Sequence, residues 1–310
     1  MFGLASWGYA VLKTVGFSGW EVGGVGLVVC GCGGFVEFSC FYDLLVDAIE
    51  KLLFVPPLVR IGSSSLLVVG DVHGDSASVD AALKMVDREN IDVIVFLGDY
   101  VDRGPEQVEV LVRVLEAFVC SGFRMVLLRG NHETPSVNRE YGFLESLKKY
   151  FPSSWRELYV LANKVFGLLP YASTANSILM VHGGVPRGVE GVEGLGKLRK
   201  PLLDPEPDTP EFEVLWNDPG EHISGFLPGV RGPGTYIFGK DVTEKLLASS
   251  GLRLLVRGHE VPGSRGYQYS HNGLVLTLYS CRYDYVRPAA LWVSGEEQRI
   301  VWLDEAFERK

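Results

Sequence analysis

The first half of the chain alternates short apolar runs with longer segments in which apolar residues recur at helical spacing. The apolar runs Leu66–Val69, Val93–Leu97 and Met125–Leu128 predict buried strands. The amphipathic segments Val79–Asn90 and Gln107–Cys120 lie between them and predict helices. Continuous apolar strands that alternate with helices are typical of parallel βαβ units. We therefore expect a parallel sheet in this region.

Further segments extend the pattern on both sides. Helical spacing predicts three more helices, at Phe41–Leu53, Val137–Tyr150 and Trp155–Leu168. The last third of the chain is interpreted as strands and loops, with strands at Ile178–Val181, Leu252–Val256 and Gly273–Tyr279, a hairpin from Ala289 to Leu303, and a surface loop from Arg187 to Asp208. We predict an α/β fold in which two mixed β-sheets pack face to face with helices outside, in four layers.

Composition narrows the class of protein. The 310 residues are enough for one large domain, and the formal charge of −9 argues against non-specific nucleic-acid binding, which needs a basic face. The five cysteines are odd in number and scattered, which argues against a secreted disulfide framework and favours a reducing compartment. We expect a cytoplasmic protein that binds neither nucleic acid nor membrane.

The amino-terminal segment differs in texture from the rest. Val22–Val36 is apolar and glycine-dense, but it is shorter than the roughly 20 residues that a membrane helix needs. It also lacks the features of a signal peptide. We divide the chain into a glycine-rich extension, residues 1–40, and a catalytic domain, residues 41–310. The extension is either loosely packed on the domain or a segment upstream of the true translation start.

Polar residues follow five predicted strands directly, at the ends where open α/β sheets bind their ligands. These residues are Asp71, His73, Asp99, Asn131, His182 and His259. Carboxylate, amide and imidazole ligands without thiolate suit Mn²⁺, Fe or Zn²⁺. Asp99 follows the central strand and is predicted to bridge two ions. Asp71 and His73 would complete the coordination of one ion, and the remaining three residues would complete that of the other.

Two arginines and a histidine complete the predicted chemistry. Arg103 and Arg231 are candidates for binding phosphate, because a guanidinium matches phosphate oxygens with a planar fork. His132, held by Asp102, could protonate a leaving alkoxide. Each residue alone could instead be part of a turn, a helix cap or the surface, and Asn131-His132-Glu133 is compatible with a cap. Their combination in the order that one cleft requires favours a phosphoesterase site.

Three sequence blocks carry a resemblance to a known family. They are Gly70-Asp71-Val72-His73-Gly74, Gly98-Asp99-Tyr100-Val101-Asp102-Arg103-Gly104 and Arg129-Gly130-Asn131-His132-Glu133. Later blocks agree with them, at Tyr141-Gly142-Phe143, Val181-His182-Gly183-Gly184, Leu215-Trp216-Asn217-Asp218-Pro219 and Val256-Arg257-Gly258-His259. From about residue 60 to 285 the chain resembles the phosphoprotein phosphatase family of calcineurin-like metallophosphoesterases.

The resemblance implies hydrolysis of phosphoserine and phosphothreonine in proteins by a metal-bridging hydroxide that attacks phosphorus in line. It implies two divalent ions, Mn²⁺ with Fe or Zn²⁺ as alternatives, on the six ligands named above. It places Arg103, Arg231 and Asn131 on the substrate phosphate, and His132 with Asp102 as the acid. Partners would be phosphoprotein substrates and a separate regulatory subunit.

One family position does not transfer cleanly. The family often has a tyrosine after the late strand, and here the loop reads Ser280-Cys281-Arg282-Tyr283-Asp284-Tyr285. Either tyrosine could lie over the cleft, and we assign Tyr283 to the phosphate site in preference to Tyr285. Because this loop departs from the animal-type sequence, we expect a prokaryotic or archaeal type of member.

Three other functions compete with this interpretation. A diadenosine-tetraphosphate hydrolase, or another hydrolase of small phosphoesters, shares the first two blocks but not Arg129 or the blocks around Tyr141 and Trp216. A catalytically dead phosphopeptide-binding module would have lost at least one ligand or His132, and none is lost. A DNA-repair nuclease is disfavoured by the acidic charge balance.

Overall fold

A computed structural model describes residues 36–63, 65–120 and 124–304. Its helices are α1 (Phe38–Leu52), α2 (Ser76–Arg88), α3 (Gln107–Cys120), α4 (Pro135–Asn138), α5 (Phe143–Tyr150), α6 (Trp155–Leu168), α7 (Gly191–Leu195), α8 (Pro210–Trp216) and α9 (Lys240–Ser249). Its strands are β1 (Leu58–Arg60), β2 (Ser65–Val69), β3 (Val93–Phe96), β4 (Met125–Leu127), β5 (Ala172–Ala175), β6 (Ile178–Val181), β7 (Asp218–Pro219), β8 (Phe226–Pro228), β9 (Tyr236–Phe238), β10 (Leu254–Arg257), β11 (Tyr267–Ser270), β12 (Val275–Leu278), β13 (Ala289–Ser294) and β14 (Glu297–Trp302).

Two large mixed sheets form the centre of the fold. One has the strand order β14-β13-β2-β3-β4, and the other has the order β1-β5-β6-β10-β12-β11. In the first sheet β2, β3 and β4 are parallel, and β13 joins β2 in the antiparallel sense. In the second, β10 runs parallel to both β6 and β12. The parallel βαβ units expected from the sequence are therefore present.

Alternate residues of β2 show how the layers form. Leu66 and Val68 face the second sheet and belong to a core that both sheets share. Leu67 and Val69 face the opposite way, into a core formed with α1, α2, α3, α5 and α6. Because successive strand residues point to opposite faces, a fully apolar strand buries both. A third core covers the outer face of the second sheet with α7, α8 and α9. The predicted four-layer sandwich is confirmed.

Several local predictions were wrong. The helix expected at Val137–Tyr150 is two helices, α4 and α5, because Gly142 has a φ of 126° that helical residues do not adopt. The last third of the chain contains α8, α9 and a small sheet with the order β7-β9-β8 in addition to the expected strands. His271 lies outside the predicted site, and the sequence alone indicates an ordinary surface residue there; the structure instead buries it fully, with its ring 2.9 Å from the Thr243 hydroxyl.

The amino-terminal predictions fall mostly outside the described residues. Residues 1–35, which include most of the expected extension, lie there. The helix α1 begins at Phe38 and so crosses the expected boundary between residues 40 and 41. Cys40 is disulfide-bonded, whereas Cys281 is a free thiol. In the described ranges, no helix has both the length and the apolar character needed to cross a membrane.

The packing of α1 yields a stability prediction. Phe41 is fully buried and its ring lies 6.1 Å from that of Phe151, whereas Phe54, just after the helix, is 89% exposed. We expect Phe41→Ala to lower the free energy of unfolding by about 3–5 kcal/mol, because it leaves a cavity in a close-packed core. Phe54→Ala is the matched control and should change it by less than about 0.5 kcal/mol. Urea unfolding measures both, and equal effects would show that α1 is not part of the core.

Candidate metal centre and phosphate cleft

The six predicted ligands converge where the two sheets meet. The loops after β2, β3 and β4 come from one sheet, and the loops after β6 and β10 come from the other. The backbone N–H of His259 joins the two groups by donating to both carboxylate oxygens of Asp71, at 2.9 and 3.0 Å. All six side chains are at most 9% exposed: Asp71, His73, Asp99, Asn131, His182 and His259. The structure thus brings together every residue assigned to the ions.

Two histidines are oriented by main-chain carbonyl groups. Nδ1 of His73 lies 3.0 Å from the Val101 oxygen, and Nδ1 of His182 lies 3.1 Å from the Leu97 oxygen. A carbonyl can only accept, so each Nδ1 carries the proton and each Nε2 is left with a free lone pair. Those Nε2 atoms lie 3.5 and 3.4 Å from the Asp99 carboxylate. A backbone carbonyl on the distal ring nitrogen is the usual support of a metal-binding histidine.

The donor atoms fit two cations that share one carboxylate. Two groups have ligand atoms that all lie within 4.8 Å of one another: His73, Asp99 and His132, and Asp99, His182 and His259. Nε2 of His259 is buried without a hydrogen-bond partner. Such an orphaned nitrogen is costly unless another ligand occupies it. The nitrogen and oxygen donor set suits divalent ions such as Mn²⁺, Fe²⁺ or Zn²⁺.

Burial dominates the electrostatics of the centre. It raises the pKa of Asp71 to about 7 and that of Asp99 well above its usual value. Burial also lowers the pKa values of His73, His182 and His259 well below that of free imidazole. Both shifts favour the uncharged forms of these groups, because the neighbouring protein charges do not compensate for the hydration lost on burial. A divalent cation would supply the positive charge that ionised aspartates and neutral imidazoles require.

Glu133 holds the loops after β3 and β4 in contact. Its buried carboxylate accepts from the backbone N–H groups of Asp99 at 2.7 Å, Tyr100 at 2.9 Å and Gly130 at 2.9 Å. Gly130 fits between these loops because a Cβ there would lie 2.1 Å from Oδ1 of Asp99. The approach places the N–H of His132 at 3.0 Å from the same Oδ1. Asp99 is therefore fixed by its surroundings before any ion binds.

His132 and Asp102 form the predicted pair. Nδ1 of His132 lies 2.7 Å from Oδ2 of Asp102, and Oδ1 of that carboxylate accepts from the Phe143 N–H at 2.9 Å. Burial, followed by the charges of Arg103 and Arg231, lowers the pKa of His132 to about 3. Burial raises the pKa of Asp102 to about 7. The ring also belongs to the first donor group, so the structure places it among the candidate metal ligands, where the sequence predicted only an acid.

The two predicted phosphate-binding arginines line one cavity of about 480 Å³ above the donor groups. The Arg231 side chain is held by Asp218, whose Oδ2 lies 2.5 Å from its Nε. Asp218 is in turn fixed by the fully buried Arg257, at 2.8 Å. The guanidinium carbon of Arg103 lies 5.9 Å from the centre of the Tyr141 ring. Both arginine side chains thus line the cavity from different loops, and contacts with neighbouring residues restrain their orientations.

The late tyrosines differ from expectation. Tyr285 is fully exposed. The Tyr283 hydroxyl donates to the Gly74 oxygen at 3.3 Å, and its ring packs beside Gly104. Neither belongs to the cavity lining, in which Tyr279 is found instead. The structure therefore does not bring Tyr283 to the phosphate site together with the arginines and Asn131.

Sequence reasoning missed two supporting carboxylates, Glu133 and Asp218. Both lie inside the sequence blocks that carry the family resemblance. The sequence assigns no function to either residue, because the groups that they bond to are distant in sequence. The signal available was their type, since an ionisable residue within an otherwise apolar or glycine-rich block needs a partner when buried.

Comparison with known proteins agrees with this geometry. A model of the calcineurin-like phosphoesterase family matches residues 64–263. Serine/threonine-protein phosphatase 5 of Arabidopsis thaliana is 36% identical over 251 residues, which are 77% of this chain and 44% of that protein. Serine/threonine-protein phosphatase PP1-delta of Caenorhabditis elegans is 30% identical over 219 residues, 69% of each chain.

A solved structure shows the same fold. A protein serine/threonine phosphatase from Saccharomyces cerevisiae superimposes with a TM-score of 0.75 at 23% identity, over 87% of this chain and 90% of that one. The chain spans about half the length of the curated relatives it matches, such as 44% of the Arabidopsis protein. The curated relatives named here are eukaryotic, so they do not support the expected prokaryotic or archaeal type.

The shared carboxylate yields a prediction on stability. We expect Mn²⁺ to raise the midpoint of thermal unfolding of the metal-stripped protein, because an ion that binds only the folded state stabilises it by about 2.7 kcal/mol at 100 times its Kd. Asp99→Asn should lose most of this gain. Asp43→Asn, which changes an exposed aspartate of α1, is the matched control and should keep it. Equal Mn²⁺ stabilisation of both variants would rule out Asp99 as a ligand.

Proposed function

The chain belongs to the calcineurin-like phosphoesterase family, and we propose that it hydrolyses phosphoserine and phosphothreonine in proteins. The observation that carries the proposal is the juxtaposition of two donor groups sharing Asp99 with two arginines on one cavity. The relatives named serine/threonine-protein phosphatases support the choice of substrate.

The proposed cofactor is a pair of divalent ions, with Mn²⁺ as the first choice. Such a pair would lower the pKa of a water molecule between the ions and polarise the phosphoryl oxygens. Asp99 would touch both ions. Asp71 and His73, which follow a strand of one sheet, would bind one ion. His182 and His259, which follow strands of the other sheet, would bind the second ion. Oδ1 of Asn131, the sixth predicted ligand, lies 2.9 Å from Nε2 of His182 and from Nδ1 of His259, and it would bind the ion on the same side as these two rings.

Arg103 and Arg231 are proposed to bind the phosphoryl group. Both side chains line the same cavity, so a phosphate bound there could receive hydrogen bonds from two guanidinium groups on more than one of its oxygens. Because Asp218 and Tyr141 already restrain the two side chains, little conformational entropy is lost on binding. Binding of this kind would hold the phosphorus atom in one orientation within the cavity that Asp99 also lines.

His132 is proposed to protonate the leaving alkoxide, with Asp102 as its support. The carboxyl group holds Nδ1, so Nε2 points away from Asp102 and toward the cavity that His132 lines. The lowered pKa of His132 and the raised pKa of Asp102 favour a neutral ring beside a protonated carboxyl group, in which Nε2 carries the proton. Nε2 would give this proton to the alkoxide while Nδ1 takes up the proton of Asp102. A protein serine or threonine leaves as a strongly basic alkoxide and therefore needs a proton in the transition state.

The remaining assignments are proposals of the same kind. Phosphoproteins are the proposed substrates, and a separate regulatory subunit is the proposed partner. We also propose a cytoplasmic location. The free thiol of Cys281 favours it, and the disulfide at Cys40 counts against it.

A substrate panel tests the proposed reaction. With Mn²⁺ supplied, we expect hydrolysis of phosphoserine and phosphothreonine peptides and of p-nitrophenyl phosphate, and slower hydrolysis of diadenosine tetraphosphate. Asp99→Asn should lower kcat at least 100-fold, because a shared ligand is lost, while Asp43→Asn should match the native enzyme. Preference for the dinucleotide would move the function to a dinucleotide hydrolase. Activity that survived Asp99→Asn would contradict the two-ion site.

The leaving group tests the acid. His132→Ala should lower kcat by about 100- to 10,000-fold on a phosphoserine peptide, because general acid catalysis contributes factors of this size. The loss on p-nitrophenyl phosphate should be clearly smaller, since nitrophenolate leaves without a proton. His222→Ala, at an exposed histidine, is the control and should change neither rate. Equal losses on both substrates would remove His132 from the acid role.

A further inference from the structure

The loop that carries Asp102 and Arg103 has an unusual backbone. Asp102 has a φ of 70° and Arg103 a φ of 65°, so two consecutive residues with side chains occupy the left-handed region. That conformation costs about 1–2 kcal/mol for each such residue. It persists only where the surroundings over-determine it. The two residues are the support of the proposed acid and one of the proposed phosphate ligands, so whatever holds this loop also sets the geometry of the cleft.

The side chain of Gln107 brackets the strained segment. Gln107 is the first residue of α3 and is 5% exposed. Its Oε1 accepts from the backbone N–H of Asp102 at 2.9 Å, and its Nε2 donates to the carbonyl oxygen of Gly104, also at 2.9 Å. One amide therefore bonds to the main chain immediately before and after Arg103, and satisfies a buried donor and a buried acceptor that would otherwise be orphaned.

Glycines on two neighbouring loops leave room for this amide. A Cβ at Gly74 would lie 3.0 Å from Cγ of Gln107, and a Cβ at Gly142 would lie 2.9 Å from its Nε2. Gly142 stands between Tyr141, whose oxygen accepts from the Arg103 N–H at 3.1 Å, and Phe143, whose N–H donates to Asp102. The amide of Gln107 thus fills the point at which three loops of the cleft meet, and close packing fixes its rotamer.

We propose that Gln107 is a positioning residue of the active site, whose amide keeps Asp102 in reach of His132 and aims Arg103 into the cavity. The inference rests on the proposed function for its kinetic consequences. The predicted position of Arg103 does not depend on the proposed function, and the binding of inorganic phosphate tests it without any catalysis. A residue with a merely structural role would lower stability and leave the kinetics of the folded enzyme unchanged.

Gln107→Met is the variant of choice, because methionine has nearly the same length and volume but forms neither hydrogen bond. Gln107→Glu retains an acceptor for the Asp102 N–H and loses the donor to Gly104. Gln268→Met is the matched control, at an exposed glutamine of β11. Each protein is loaded with Mn²⁺, and its folded fraction is measured by circular dichroism at the assay temperature, so that rates refer to folded enzyme.

For Gln107→Met we expect kcat on a phosphoserine peptide to fall about 10- to 100-fold, since displacements of the order of 1 Å at a catalytic group have effects of this size. On p-nitrophenyl phosphate kcat should fall several-fold less, because the acid pair matters little there, while KM should rise for both substrates through Arg103. Gln107→Glu should lie between Gln107→Met and the native enzyme on the peptide. Gln268→Met should match the native enzyme throughout.

Native kinetic constants for folded Gln107→Met, or equal losses of kcat on the two substrates with unchanged KM, would overturn the positioning role. Failure of the proposed function has a different signature, because the native enzyme itself would then hydrolyse none of the phosphoesters. In that case calorimetric titration with inorganic phosphate decides the inference. Gln107→Met should then bind phosphate at least several-fold more weakly than the native protein and Gln268→Met, and equal affinities would refute the proposal.

Discussion

The structure depends on the burial of two carboxylates, Asp71 and Asp99, among imidazoles at the meeting edge of two sheets. Neither carboxylate is more than 1% exposed, and their strands belong to the same sheet. The His259 N–H, which follows a strand of the other sheet, donates to Asp71. Packing of the two sheets therefore also assembles the cluster of ligands. Such a cluster is unfavourable as a set of bare charges. We propose that divalent cations bound among these groups make the cluster favourable.

Buried polar groups that are not themselves candidate ligands fix the loops that carry the ligands. Glu133 ties the loops after β3 and β4, Gln107 ties the loop after β3 to α3, and main-chain carbonyls fix the rings of His73 and His182. None of these contacts requires a bound ion. The ligands are consequently preorganised, which reduces the cost of ordering them when ions and phosphate bind.

Most of the fold and the ligand set could be predicted because their signals are local. A buried parallel strand is a continuous apolar run, and its ligand follows within a few residues, as Asp99 follows β3. The failures have partners distant in sequence. The helical spacing continues across Gly142. The backbone nevertheless turns at this glycine, and the turn lets the Phe143 N–H donate to Asp102. The burial of His271 depends on Thr243 and Gly220, which no nearby pattern marks. Tyr283 was placed by resemblance, and its loop packs beside Gly74 and Gly104 instead.

The central claim is that Asp99 is shared by two cations, and the count of bound ions tests it most directly. Metal-stripped protein should be equilibrated with Mn²⁺, freed of excess ion and analysed for manganese per chain, with electron paramagnetic resonance on the same sample. The account predicts two ions per chain with a spin-coupled spectrum, because one carboxylate joins them. A single ion per chain, or two ions with uncoupled spectra, would contradict it.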